Sequence, residues 1–263
     1  MKCLAFDTSG EQLSVAVQHG ARVWPHRGAG GAQASATLIP AALDLLGQAG
    51  LRLDQLDALS FTHGPGAFTG LRTACAVAQG LALGARAHWP GQAPPLPVVP
   101  VDTLLAVAEN ARQQVAASAG DAPFWALSAI DARMDEVYWA AYQWLPQSGW
   151  RALTPVRASA PEQLAPPPLP PSAQGAIWHL AGNASAVYGA RLRVALPPDA
   201  ARVVAALPDA CALLALTPAL LAAGRAVAPE QALPLYIRDK VAQTTAERAA
   251  LRAAAATATV ANG

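Results

Sequence analysis

Phe61 to Gly84 reads FTHGPGAFTGLRTACAVAQGLALG, and the changes of pattern inside it set the architecture. The run that leads in, DALSFT from Asp57 to Thr62, has the length and composition of a strand. HGPGAF follows as a tight loop, in which Pro65 fixes one backbone angle while Gly64 and Gly66 free two others. Thr69 to Arg86 then reads as a helix with Thr69 as its N-cap. A glycine-rich turn between strand and helix can hold an anion against the helix N-terminus, or it can be a tight turn with no ligand. It is no Walker loop, because the closing Lys-Ser/Thr is absent.

Upstream, LAFDTS (Leu4 to Ser9), LSVAVQ (Leu13 to Gln18) and ARVWPHR (Ala21 to Arg27) are short apolar runs split by Gly10-Glu11 and His19-Gly20, the pattern of an antiparallel meander. Between meander and loop, Ser35 to Ala49 carries two neighbouring helical stripes, Leu38, Ala42, Leu45, Ala49 and Ile39, Leu43, Leu46, Gly50. That is wider than one core face requires. Downstream come PVVP and a helix from Asp102 to Val115, after which FWALSAIDAR, EVYWAAYQW and WRALTPVRAS repeat the three-strand opening. Two such openings predict a duplicated architecture. The proline-rich loop Pro161 to Ser172 is expected to be extended and unpacked. IWHLAGN reads as a further strand, followed by helices from Ala184 to Ala190 and from Asp199 to Ala223, then an alanine-rich tail. The expected division is 1–101, 102–238 and the tail 239–263.

The chain has 263 residues, 53% hydrophobic and 13% charged, which excludes a solvated, disordered chain and predicts extensive burial. A net charge of +1 gives no global field toward nucleic acid or an anionic membrane. Cys3, Cys75 and Cys211 lack the paired spacing of disulfide frameworks and zinc clusters, and the five histidines form no ligand pair. A reducing, cytoplasmic setting is expected. Thr69 to Ala85, an apolar stretch interrupted by Arg72 and Gln79, falls short of the roughly 20 apolar residues that a membrane span requires.

Asp7-Thr8-Ser9, followed by Gly10, resembles the first phosphate-binding turn of actin-like ATPases, in which an Asp holds a metal–nucleotide complex; a polar strand end entering a hairpin is the other reading. The matching turn of a second half falls at IDARMDE, which has no glycine, and Arg133 and Met134 would hold the backbone away from a phosphate. Asp7, Thr8, Ser9, Gly64 and Gly66 are therefore candidates for a vestigial nucleotide site. Asp131, Arg133, Asp135 and Glu136 form the densest charge cluster, either a solvated hairpin or a polar contact in a cleft between halves.

LAFDTS with LSVAV, the helix SATLIPAALDLL, FTHGPGAFTGLRTACAVAQGLALG, IDARMDEVYWAAY and the late PLYIR, in that order, resemble the TsaB (YeaZ) family across most of Met1 to Arg238. The family usually has His-Ser where Ala34-Ser35 stands, Ser where Ala67 stands and often Gly-Asp where Gly182-Asn183 stands. The resemblance implies an α/β, actin-like (ASKHA, ribonuclease H-like) two-domain fold with a degenerate nucleotide site. It further implies a subunit with no catalysis of its own, partnered by TsaD and the ATPase TsaE, in the assembly that makes N6-threonylcarbamoyladenosine beside the tRNA anticodon. No cofactor of its own is implied, a nucleotide belonging instead at the interface with TsaD, and tRNA is reached only through the complex. The alternative class is an autonomous actin-like ATPase or glycoprotease-like peptidase.

Thr69 to Arg86 carries so few large polar residues that it must be buried around most of its circumference, either inside a sandwich or against a partner. On the partner reading, two helices per protomer build a four-helix contact that serves both a homodimer and TsaD. The expected contact residues are Ser35, Leu38, Ile39, Ala42, Leu45, Leu46, Phe68, Leu71, Arg72, Cys75, Val77 and Ala78.

Overall fold

The computed structural model describes residues 1–85, 95–119, 122–173, 176–193 and 201–238; the expected tail lies outside them. The predicted meander forms as β1 (Lys2–Asp7), β2 (Gln12–His19) and β3 (Arg22–Ala29). The helix α1 (Ala34–Gln48) returns the chain to β4 (Ala58–Gly64), and α2 (Phe68–Gly84) returns it to β5 (Val98–Asp102). Within this sheet the order is β3-β2-β1-β4-β5, with β4 and β5 parallel to β1.

After α3 (Thr103–Ala119) the plan repeats. A second meander, β6 (Phe124–Asp131), β7 (Val137–Leu145) and β8 (Gly149–Ala152), is joined by β9 (Arg157–Ser159), which pairs with β7. Then come β10 (Trp178–Ala181), the short helices α4 (Ala184–Tyr188) and α5 (Ala190–Arg193), β11 (Ala201–Val204) and finally α6 (Ala210–Ala222). The second sheet runs β8-β7-β6-β10-β11, with β10 and β11 parallel to β6, so two sheets of one topology make the duplicated actin-like α/β fold.

Apart from its exposed edge strand β3, the first sheet is buried on both faces, and the two faces differ in grain. Leu4, Phe6, Val15, Val17, Leu59 and Phe61 project toward α1 and α2. Their neighbours Cys3, Ala5, Ala16 and Ala58 project the other way, toward Leu213, Leu214 and Leu216 of α6. Period-two alternation of large and small residues thus lets α6 lie close on its side. Each of its three leucines contributes roughly 2 kcal/mol of burial.

α6 follows the second sheet in sequence yet packs on the first, whereas α3 follows the first sheet yet packs Leu104, Val107, Ala108 and Ala111 against Phe124, Ala126, Ala140 and Tyr142 of the second. The two helices also pack on one another, so each half lends its last helix to the other sheet. Asp209 anchors the exchange: it caps α6 through the Cys211 amide at 2.8 Å, accepts from Ser14 Oγ at 3.3 Å and pairs with Arg27 at 2.8 Å.

Four sequence expectations change. α2 starts at Phe68, with Ala67 rather than Thr69 as N-cap. The proline-rich loop is not unpacked: Pro161, Leu164 and Ala173 are buried and Leu169 packs beside them, covering the outer face of the second sheet where the first carries long helices. The second late helix starts at Ala210 rather than Asp199, because Ala201 to Val204 pairs with β10 as an edge strand. WRALTPVRAS splits into β8 and β9 around Thr154-Pro155, as proline interrupts a ladder.

Candidate functional site

The β1–β2 turn and the N-terminus of α2 are bonded face to face. Asp7, Thr8 and Ser9 are all buried. The Asp7 carboxylate accepts from Thr62 Oγ1 and from the Ser9 amide at 3.1 Å. Thr8 Oγ1 donates to the Gly70 carbonyl at 2.7 Å, and the Ala67 amide donates to the Ser9 carbonyl at 2.7 Å. A Cβ on Gly66 would lie 2.6 Å from the Ser9 carbonyl oxygen, and one on Gly70 would overlap the Thr8 carbonyl. These glycines therefore let two backbones touch. Gly64 likewise packs beneath the Leu235 carbonyl. The five candidate nucleotide residues do come together, with the loop backbone engaged inside the chain.

Burial pushes the Asp7 carboxyl up from 3.8 to about 6, with the Ser9 and Thr62 hydrogen bonds opposing, and burial does the same to Asp102 at the end of β5. A folded-state pKa above the unfolded one means that the native protein holds a proton the unfolded chain has lost. Stability therefore falls as pH rises from about 4 to about 6, and the penalty persists above that window. Asp7→Asn is expected to flatten this dependence and to add about 1–2 kcal/mol at pH 8, the new amide hydrogens offsetting part of the roughly 3 kcal/mol of charge burial. Urea unfolding at pH 5 and pH 8 checks it; an unchanged pH difference in the variant refutes it.

The second turn has a different construction. Arg133, Met134 and Asp135 stand in the left-handed region, with φ of 59°, 55° and 60°, and no glycine relieves them. Surrounding bonds hold the turn: Asp131 accepts from the Arg133 amide and from Tyr188 Oη, each at 2.8 Å, and Arg191 grips Asp135 and Glu162. Arg133 crosses to Glu11 beside the first turn, so the charge cluster makes a contact between the halves.

Ala232 to Arg238 straps α2 to this second turn. Gln79 Nε2 donates to the Ala232 carbonyl at 3.2 Å, and the Leu235 amide to the His63 carbonyl at 2.7 Å. Tyr236 stacks on Phe68 with centroids 5.3 Å apart. Arg72 lies 3.8 Å over the same ring and donates Nε–H to Tyr236 Oη at 3.0 Å. Arg238 pairs with Glu136 and donates to the Arg133 carbonyl at 3.1 Å. Sequence reasoning gave Tyr236 and Arg238 no role, although PLYIR marked them as part of a motif.

The expected partner face divides. Leu38, Ala42, Leu45, Leu46, Cys75 and Ala78 lie in the core over the first sheet, and Leu71 is only 1% exposed. They are corrected from contact to core residues, because α1 and α2 turn their larger stripe inward. Ser35, Phe68 and Arg72 are exposed, and Val77 is half-buried. Ile39 at 40%, Leu43 at 51% and Leu83 at 62% exposure supply the outer apolar surface, and Ala76 and Gly80 leave α2 flat between them. Leu43 was visible in the second stripe of α1; Leu83 had no distinguishing signal in so apolar a helix. Burial raises the Cys75 thiol to about 11, which makes it unreactive. No helix among the described residues is long and apolar enough to cross a membrane.

Comparison with known proteins agrees with this architecture. The family model described as TsaD, tRNA N6-adenosine threonylcarbamoyltransferase, matches residues 30–246. A protein of Escherichia coli (strain K12) named tRNA threonylcarbamoyladenosine biosynthesis protein TsaB is 33% identical over 249 residues, covering 92% of this chain and 96% of that one. The Haemophilus influenzae protein of the same name is 37% identical over 137 residues, 52% of each chain. The solved structure of YeaZ from Pseudomonas aeruginosa superposes with a TM-score of 0.73 at 36% identity, covering 89% of this chain and 99% of that one.

Proposed function

The chain belongs to the TsaB (YeaZ) family, and from that premise we propose that it is the non-catalytic subunit of the assembly that installs N6-threonylcarbamoyladenosine in tRNA, holding TsaD in its working arrangement through the outer face of α1 and α2. The observation that carries this reading is the exposed set Ile39, Leu43 and Leu83 on two adjacent helices whose inner stripes already fill a core. Apolar side chains grouped on one face, beyond what the monomer buries, are the mark of an interaction surface. The β1–β2 turn supports the lack of catalysis, since its backbone is bonded to α2 where an actin-like enzyme keeps room for phosphate. A nucleotide in the assembly then belongs at the interface with TsaD. TsaE joins the same complex, and tRNA is reached through it in the cytoplasm, because a net charge of +1 provides little counterion release for this chain alone.

Leu43→Asp tests the face. Placing a carboxylate in a desolvated helix contact weakens association by several kcal/mol. Affinity for TsaD is expected to fall at least about 100-fold, and reconstituted tRNA modification with it, while the thermal transition of the isolated chain is unchanged. Full modification by a complex containing Leu43→Asp would refute the assignment.

A further inference from the structure

A cavity of about 300 Å³ opens at the end of the second sheet away from the IDARMDE turn. β6, β10 and β11 are parallel and begin together there, and Phe124 stands seven residues, about 23 Å, along β6 from Asp131. Strand alternation decides what lines it. Trp178 and Leu180 of β10 face the outer core, so His179 between them faces α3, and its register partner Arg202 of β11 faces the same way. Phe124 joins them, its ring stacked on the His179 imidazole with centroids 4.1 Å apart. Val115 and Ala116, late in α3, line the cavity from the helix side. In the first half the corresponding layer is apolar, with Cys3, Ala58 and Val99 packed against Leu220 and Leu221 of α6. The aromatic and basic lining thus belongs to these side chains and not to the shared topology.

None of the eleven lining residues is acidic, and three are basic. Arg112 is already balanced: Glu109 holds its guanidinium through two bonds of 2.9 Å, and it lies 4.2 Å over the Trp144 ring. His179 is neutral near pH 7, because burial and then the charge of Arg202 hold its pKa below the usual 6.5 against the opposing Trp125 hydrogen bond. Its Nδ1 donates to the Trp125 carbonyl at 3.3 Å, since a carbonyl can only accept. Arg202 is exposed and meets no carboxylate among the described residues. An apolar chamber with one unbalanced guanidinium at its rim is complementary to a molecule with an apolar body and an anionic head. The volume lies at the small end of the range for ligand sites and equals about ten waters, which suits a body of one ring.

We infer that this cavity binds a small anion made of one ring, or an apolar body of that size, bearing a phosphate or a carboxylate: the body enters between α3 and β10, and the head meets Arg202. The site lies in the half that does not carry α1 and α2, so it is independent of the face assigned to TsaD. The test is isothermal titration calorimetry on the full chain at near-physiological salt. Phenyl phosphate is expected to bind with a dissociation constant below about 1 mM. Inorganic phosphate, the head alone, and benzyl alcohol, the body alone, are each expected to bind at least about tenfold more weakly. Benzoate run beside phenyl phosphate identifies the preferred head. Arg202→Ala is expected to weaken phenyl phosphate at least about tenfold, the loss of one charge-assisted contact. Because Arg202 is exposed and unpaired among the described residues, its thermal transition should match that of wild type. Ala116→Leu, which fills the chamber from α3, is expected to weaken binding by as much. Phenyl phosphate binding that survives either substitution overturns the assignment, as does a wild-type chain that binds neither phenyl phosphate nor benzoate. Inorganic phosphate binding as tightly as phenyl phosphate would reduce the site to a surface arginine and overturns it too.

Discussion

Leu71→Asp abolishes cooperative folding instead of separating subunits. Leu71 is 1% exposed and lines one small cavity with Phe68, Leu235 and Tyr236, where the strap crosses the first turn of α2. The substitution forfeits roughly 2–3 kcal/mol of leucine burial and adds the cost of an unpaired buried carboxylate, several kcal/mol more. The sum approaches the whole stability of a typical domain, about 5–15 kcal/mol. Loss of the urea transition, with a collapsed near-ultraviolet circular dichroism signal, is the expected result. An unfolding free energy within about 1 kcal/mol of wild type would show that the side chain is free to swing outward. Set beside Leu43→Asp, which spares the fold, the pair separates the two sides of one helical layer.

Gly70→Ala is expected to cost about 3 kcal/mol or more, because the new methyl group overlaps the Thr8 carbonyl and two backbones must part. Gly80→Ala, in the same helix, meets nothing within 4 Å and is expected to stabilise by roughly 0.5–1 kcal/mol through helix propensity alone. Opposite signs for one chemical change ten residues apart would tie the effect to the seam between the β1–β2 turn and α2. Equal effects in urea titrations would mean that the turn yields, and the seam would then be loose enough to admit a ligand.

Local pattern in the sequence carried the strands, the duplication and the family motifs well, since LAFD, LSVAV and FWALSAID alternate or run apolar as buried strands do. The inner and outer faces of α1 and α2 were harder to separate. Alanine occurs on every side of both helices, so Leu71 and Cys75 looked as available as Leu43 or Leu83. The exchange of α3 and α6 depends on contacts between distant segments that no local period encodes. IDARMDE was expected to lack a phosphate-compatible backbone for want of glycine, yet its three left-handed residues show that tertiary bonds from Tyr188, Arg191 and Arg238 can impose the conformation glycine would give freely. Such bonds are invisible to composition.

The exchanged helices bear on how the chain is born. The first sheet needs α6, which ends at Ala222, to cover its small-residue face, so that face stays bare on the ribosome until nearly the whole described chain has been translated. The second sheet waits less, because α3 emerges ahead of the strands it will cover and the last of those strands, β11, ends at Val204, before α6 begins. The later half is therefore the first that can finish on the ribosome, reversing the usual N-to-C order of domain folding, and the earlier half must wait, exposed, for its lid. A stop codon anywhere before α6 would release a chain whose first sheet cannot be completed, and the cell would meet it as a substrate for chaperones and proteases.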